Sequence, residues 1–278
     1  TLPPSPMTQR LTARTALLLT LPPLLWAGNA VVGRLASGLV PPITLNFLRW
    51  ALAFALLLPL AAWVLRAGSG LWSHWRRYAL LGLLGVGCYN ALQYLALKTS
   101  THINVTLVAA STPVFMLAIG ALFFGQAVSR RQWLGAALSI AGVLLVLGRG
   151  RWDLLLQVRL VTGDLYVLLA TAAWAFYSWL LTRPGDPPGI RNDWAAFLMA
   201  QIVPGLVWSG LFTAGEWAMT DAHMVWSWPV AAVLLYVAVG PAIVFALGAP
   251  AHPRLGAGTI ALYAGALAAQ VAFDVASA

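Results

Sequence analysis

An all-α integral membrane protein is the fold class this sequence predicts. Three observations predict it: a composition almost without charge, apolar runs of bilayer length, and an echo between the two halves. Of 278 residues, 61% are hydrophobic and only 8% are charged. A soluble domain carries about 25% charged residues. So few charges cannot build an aqueous surface, and lipid must be the main solvent. The net charge of +9 does not point to nucleic acid. The arginines stand singly or in pairs between apolar runs and are not gathered on one basic face. Cys88 is the single cysteine, so no internal disulfide can form.

A bilayer core of about 30 Å requires about 20 apolar residues in a helix. Nine stretches meet or approach that length: 15–32, 43–65, 78–97, 103–124, 133–147, 165–181, 194–214, 228–247 and 255–273. Helices are expected because backbone groups in lipid must be satisfied within their own segment. The fifth run is short, and its ends borrow Arg131 and Gly148. The first run is preceded by a Pro-rich polar stretch and lacks a small-residue cleavage site, so it reads as a span and not as a signal peptide. Residues 1–14 then form a tail. With the N-terminus inside, nine inner arginines (10, 14, 66, 76, 77, 130, 131, 183 and 191) face five outer cations (Arg34, Lys98, Arg149, Arg151 and Arg159). That bias favours a cytoplasmic N-terminus, although the 149–159 cluster runs against it.

The halves echo each other. Trp26-Ala27 recurs as Trp174-Ala175 at an offset of 148, Phe47-Leu48 as Phe197-Leu198 at 150, and Gly87 as Gly240 at 153. Gly125, Gly135 and Gly142 share their spacing with Gly248, Gly258 and Gly265, now at an offset of 123. The first half holds five spans, an odd number, so its copy must insert upside down. Inverted repeats around a midplane site are a transporter architecture. The expected division is a first repeat at 15–148, a connecting loop at 149–159 and a second, inverted repeat at 160–278. The drop in offset leaves 30 residues missing near Val244 and Phe245, one span with its loop. The underlying plan therefore has ten helices, of which nine are readable and the ninth is lacking.

Several runs resemble a known family. Ser111-Thr112-Pro113-Val114-Phe115, Phe123-Phe124-Gly125-Gln126, Gln132-Trp133-Leu134-Gly135-Ala136-Ala137-Leu138 and Ile140-Ala141-Gly142-Val143 resemble the EamA pattern of the drug/metabolite transporter superfamily. Trp26-Ala27-Gly28-Asn29 and Asn46-Phe47-Leu48-Arg49-Trp50 are similar to it as well. The run from Tyr89 to Leu97 most resembles the YddG-type bacterial exporters of aromatic amino acids. The resemblance covers the first 240 residues. It implies a ten-helix inverted-repeat carrier in a bacterial inner membrane, exporting aromatic amino acids or, alternatively, drugs and other metabolites. The sequence departs from the pattern at Gln126, where the family shows Glu, at His102, where it shows Pro, and in lacking the second Thr-Pro motif.

A carrier needs polar and aromatic side chains facing its interior, because polar groups facing hydrocarbon are costly. Trp26 and Asn29 lie three apart on one helical face, and their repeat partners are Trp174 and Tyr177. Tyr89, Asn90, Gln93 and Tyr94 are expected on one face of the third span, where rings stack on a solute and amides bond its head. Asn46 and Gln201 either line the pore or bridge helices, with bridging favoured. Arg49 is a cation well inside a span and either meets a carboxylate, snorkels or packs. Pro113, read as a helix-interior kink, is a candidate hinge. Gly125, Gly135 and Gly142 are expected to permit close helix approach.

Other chemistry lacks its residues. No Gly-x-x-x-x-Gly-Lys-[Ser/Thr] loop, His-Glu-x-x-His pair or Gly-x-Ser-Gly nucleophile occurs, which argues against an ATPase, a metalloprotease or a rhomboid-type enzyme. Asp164, Asp193, Glu216 and Asp221 lie at span ends or in loops, so no intramembrane carboxylate relay is expected and flux should run down the solute gradient. A channel would favour filter motifs repeated between subunits. The expected partners are a small solute and the lipid bilayer, with no cofactor, metal or nucleic acid, and a monomer suffices.

Overall fold

The computed structural model describes residues 35–100, 111–147 and 161–248, with Gly28, Val32, Gly33 and Val108 as isolated positions. Among these residues every regular element is helical. Helix α1 spans Pro42–Ala61 and ends in a 3-10 turn, Ala62–Leu65. The next span, Trp72–Thr99, contains α2 (Trp75–Leu81), a π segment (Gly82–Cys88) and α3 (Tyr89–Thr99). Then follow α4 (Thr112–Phe124), α5 (Arg130–Leu147), α6 (Thr162–Thr182), the short α7 (Pro188–Arg191), α8 (Trp194–Met219) and α9 (Trp228–Gly248). Pro42–Leu65, Trp72–Thr99, Thr162–Thr182 and Trp194–Met219 are long and apolar enough to cross a bilayer. Six expected spans coincide with helices and the described part of 103–124 is helical from Thr112, while 15–32 and 255–273 lie almost wholly outside the described residues. Helix α9 runs through Val244 and Phe245, where the break in the repeat offset was read.

Neighbouring ends fix the helix directions. The first turn of α1 meets the last turn of α8, where Glu216 accepts from the Thr44 N–H at 2.8 Å. These two helices are therefore antiparallel. The end of α3 meets the start of α6 through Ser100 and Asp164, and the start of α2 meets the end of α6 through Arg77 and the Leu180 carbonyl. Tyr94 and Leu97, late in α3, share a core with Val230 and Val233, early in α9. Helix α1 thus runs opposite to α8, and the Trp72–Thr99 span opposite to α9.

Two apolar cores support this bundle. One joins Leu57, Tyr78, Leu81 and Val86 to Tyr177, Leu198, Met199 and Ile202. The other joins Ala36, Leu45, Tyr94 and Leu97 to Val230, Leu234 and Val237. Leu122, Phe123, Trp133, Leu134 and Leu138 of α4 and α5 are exposed instead. Apolar side chains turned outward on apolar helices are what a lipid solvent dictates.

Backbone approach is closest between the π segment and α8. A Cβ on Gly82 would lie 2.6 Å from the Gln201 carbonyl oxygen and 2.7 Å from the Gly205 nitrogen. Only glycine fits there. By contrast, Gly125, Gly135 and Gly142 would meet nothing within 4 Å. The expectation that they permit close packing is corrected for the described residues. Gly125 instead ends α4 with φ +65°, a left-handed cap that glycine adopts without strain. Pro113 is also corrected: it occupies the first turn of α4, where a missing N–H breaks no helical bond.

Candidate solute-contact site

Sequence reasoning placed Tyr89, Asn90, Gln93 and Tyr94 on one face. The structure divides them. Tyr94 follows Tyr89 by five residues, a rotation of about 140° at roughly 100° per residue. Tyr89 and Gln93 therefore turn toward α6, and Tyr94 turns toward α1. The Tyr89 ring lies 4.6 Å from Trp174, and Trp174 lies 5.3 Å from Tyr177. Gln93 Nε2 donates to Tyr89 Oη at 3.2 Å. Both Trp174 and Gln93 are partly exposed, so this edge of the cluster is open to contact. Asn90 is buried on α3.

Behind the rings stands a fixed hydrogen-bonded support. Tyr177 Oη donates to Gln201 Oε1 at 2.7 Å, and Gln201 Nε2 donates to the Phe197 carbonyl at 2.9 Å. Gln201 is buried, so its amide bridges α6 and α8. The Tyr177 ring rests on Gly85, where an added Cβ would approach it to 2.8 Å. Asn46 is likewise a bridge. Its Nδ2 donates to the Val86 carbonyl at 2.9 Å, the Gly87 carbonyl at 3.4 Å and Ser209 Oγ at 3.3 Å.

The second group centres on Arg49. Its Nη1 donates to Tyr94 Oη at 3.1 Å, and its guanidinium lies 5.2 Å from the Trp50 ring. At 4% exposure it does not snorkel to an interface, which corrects that reading. Trp26 and Asn29 lie outside the described residues. Trp174 and Tyr177 come together as expected for neighbours three apart on one helix.

Sequence reasoning missed the polar joints at the span ends. Arg77 donates through Nε and Nη2 to Asp186 at 2.7 and 3.0 Å, and Arg191 Nη1 adds a bond to Asp186 at 3.0 Å. Burial alone would raise the Asp186 carboxyl, but hydrogen bonds and charge from Arg77, then Arg191, carry it below the usual carboxylate value. At the other face Glu216 accepts from the Ile43 N–H at 3.1 Å, the Thr44 N–H at 2.8 Å and Thr44 Oγ1 at 2.8 Å. Asp164 accepts from Ser100 Oγ and from the Val161 N–H at 2.7 Å. Asp186 lies in a Pro-Gly-Asp-Pro-Pro-Gly loop that reads as solvated, so no local signal marks it. No group of three or more metal-ligating side chains occurs among the described residues.

Comparison with known proteins gives a match over the first half of the sequence. Residues 13–148 match the EamA-like transporter family. The similarity is to membrane transporters. An uncharacterized transporter of Archaeoglobus fulgidus is 31% identical over 166 residues, 60% of this chain and 56% of that protein. The uncharacterized transporter YyaM of Bacillus subtilis is 26% identical over 137 residues, 49% of this chain and 45% of that protein. YvbV of the same organism is 26% identical over 235 residues, 84% of this chain and 72% of that protein. The chain spans about half the length of the first two curated relatives it matches. The apolar helices and the EamA match indicate a multi-pass membrane protein, and these relatives are named as transporters.

Proposed function

We propose that this chain is a secondary carrier that exports small amphipathic solutes, aromatic amino acids first among them, across a bacterial inner membrane. The observation that carries the reading is the Tyr89–Trp174–Tyr177 ring cluster with Gln93 at its edge, set where two apolar spans face each other. Offset and tilted rings at 4.5–7 Å are the geometry in which a further ring can join. Gln93 supplies an amide for a polar head. Two half-bundles rocking about this level would open it to each side in turn.

The helix directions support the inverted plan, since α1 and α8 run opposite ways, as do the Trp72–Thr99 span and α9. The division at 149–159 and the ten-helix ancestry belong to this proposal. Orientation is supported by the cations. Arg66, Arg76, Arg77, Arg130, Arg131, Arg183 and Arg191 lie at one face, with Lys98 at the other among the described residues. This bias supports a cytoplasmic arginine-rich face and, with it, a cytoplasmic N-terminus.

Counterflow in proteoliposomes tests the reading. Labelled Phe or Trp should exchange saturably, and Trp174→Ala should lower that exchange at least tenfold while leaving assembly intact. An imposed pH gradient should not accelerate it. Wild-type vesicles that exchange no aromatic solute but do exchange another metabolite would move the substrate class and keep the carrier.

A further inference from the structure

We infer that Asn46 is a positioning residue for the solute site: its amide holds the π segment in place and so sets where Tyr89 and Gln93 face. In the π segment the Tyr89 N–H donates to the Leu84 carbonyl, five residues back. An α-helix reaches back four. Where five-back bonding returns to four-back bonding the ladder skips one carbonyl, and the wide turn absorbs one extra residue. Each residue advances the helix by about 100°. If that residue were not absorbed, Tyr89 and Gln93 would lie roughly 100° away from Trp174.

Asn46 meets the segment where the ladder changes. Its Nδ2 serves the Val86 and Gly87 carbonyls at 2.9 and 3.4 Å. The side chain is fully buried, and its Oδ1 has no hydrogen-bond partner. An oxygen cannot serve a carbonyl, so the amide turns its nitrogen inward and leaves its own acceptor bare. Glycines make room for the wide turn: Gly82 against the α8 backbone, Gly85 beneath Tyr177, and Gly87, where an added Cβ would come within 3.3 Å of Trp208 and Phe212. Tyr89, the first residue of α3, then meets Trp174 at 4.6 Å.

The test reads ring placement and transport separately, because only the transport arm rests on the carrier reading. Protein labelled with 5-fluorotryptophan gives a Trp174 resonance, assigned by its loss in Trp174→Phe and shifted when the neighbouring ring is removed in Tyr89→Leu. Asn46→Leu should move that resonance as Tyr89→Leu does and lower aromatic counterflow at least tenfold. Deleting Leu83 removes the extra residue between Gly82 and Gly85, so both glycines keep their neighbours. Combined with Asn46→Leu, the deletion should restore the resonance and the flux. An unmoved resonance in Asn46→Leu, or a moved one that the deletion fails to restore, overturns the proposal. Should Asn46→Leu not assemble, the Leu83 deletion alone must assemble with the Trp174 resonance in place, and failure there overturns it equally. Normal resonances in vesicles without any aromatic flux would count against the carrier, and the positioning role would stand.

Discussion

The two membrane faces of the bundle close by different chemistry. At the arginine-rich face Asp186 is clamped by two guanidinium groups, with Arg77 also donating to the carbonyls of Leu180 and Arg183 at 3.2 and 2.8 Å. At the opposite face Glu216 is held by two main-chain N–H groups and a hydroxyl of α1, and Trp217 Nε1 donates to the same Thr44 Oγ1 at 2.8 Å. Helix α1 begins with Pro41 and Pro42 and has no side-chain cap of its own, so Glu216 supplies one from a distant helix. One joint is an ion cluster, and the other is a capped helix end. The difference teaches that a carboxylate can join helices through fixed charge or through the helix N-terminus, and that the two joints should fail differently.

Removing Asp186 should do the most damage. The Asp186 side chain is 1% exposed and that of Arg77 19%, so Asp186→Ala leaves a mostly buried guanidinium without its counter-charge. Breaking such a pair from one side costs about 3–5 kcal/mol. Thermal unfolding in detergent should show a loss of that order, and a change within error would dissolve the contrast between the faces. Acid should act on the same joint. The folded Asp186 pKa lies below its unfolded value of about 3.9. Its stabilisation is therefore full above that value and is lost as pH falls through the depressed folded pKa. Between pH 6 and pH 3, wild type should lose more stability than Asp186→Asn, which has nothing there to protonate.

Glu216→Ala should cost less, about 1–3 kcal/mol, because it strips acceptors from two N–H groups without stranding a cation. A penalty equal to that of Asp186→Ala would show that the opposite face also depends on charge.

Much of this frame was legible because lipid imposes a simple rule on length and polarity. Spans such as 43–65 and 194–214 match helices within a few residues at most ends, and Trp174 with Tyr177 follow from helical spacing alone. The π segment was not legible. Nothing in Gly82-Leu83-Leu84-Gly85-Val86-Gly87-Cys88 distinguishes a wide turn from an ordinary glycine-rich span, since Asn46 stabilises it from 40 residues away. The same holds for Gln201, whose buried bridge depends on Tyr177. The role of Asp186 was hidden because a loop carboxylate looks solvated until Arg77 and Arg191 are folded onto it. Tyr94 falls on another face for a different reason: five residues carry the helix past one full turn by about 140°, so Tyr89 and Tyr94 cannot share a face.

The smallest effect should come from the outer half of the ion cluster. Arg191 is 44% exposed where Arg77 is 19%, yet both reach Asp186 at hydrogen-bond distance. Water screens the exposed partner, and pairs of that kind contribute about 0–1 kcal/mol. The Arg191 guanidinium also lies 5.1 Å from the Phe197 ring and donates to the Leu181 carbonyl at 3.1 Å, contacts that a lysine cannot reproduce together. Arg191→Lys should therefore lose nearly as much as Arg191→Ala, while neither approaches Asp186→Ala. A double-mutant cycle of Arg191→Ala with Asp186→Ala measures the pair directly. A coupling under 1 kcal/mol assigns the clamp to Arg77. A coupling as large as that of Arg77 with Asp186 would instead make the three residues a single unit, in which the exposed member matters as much as the buried one.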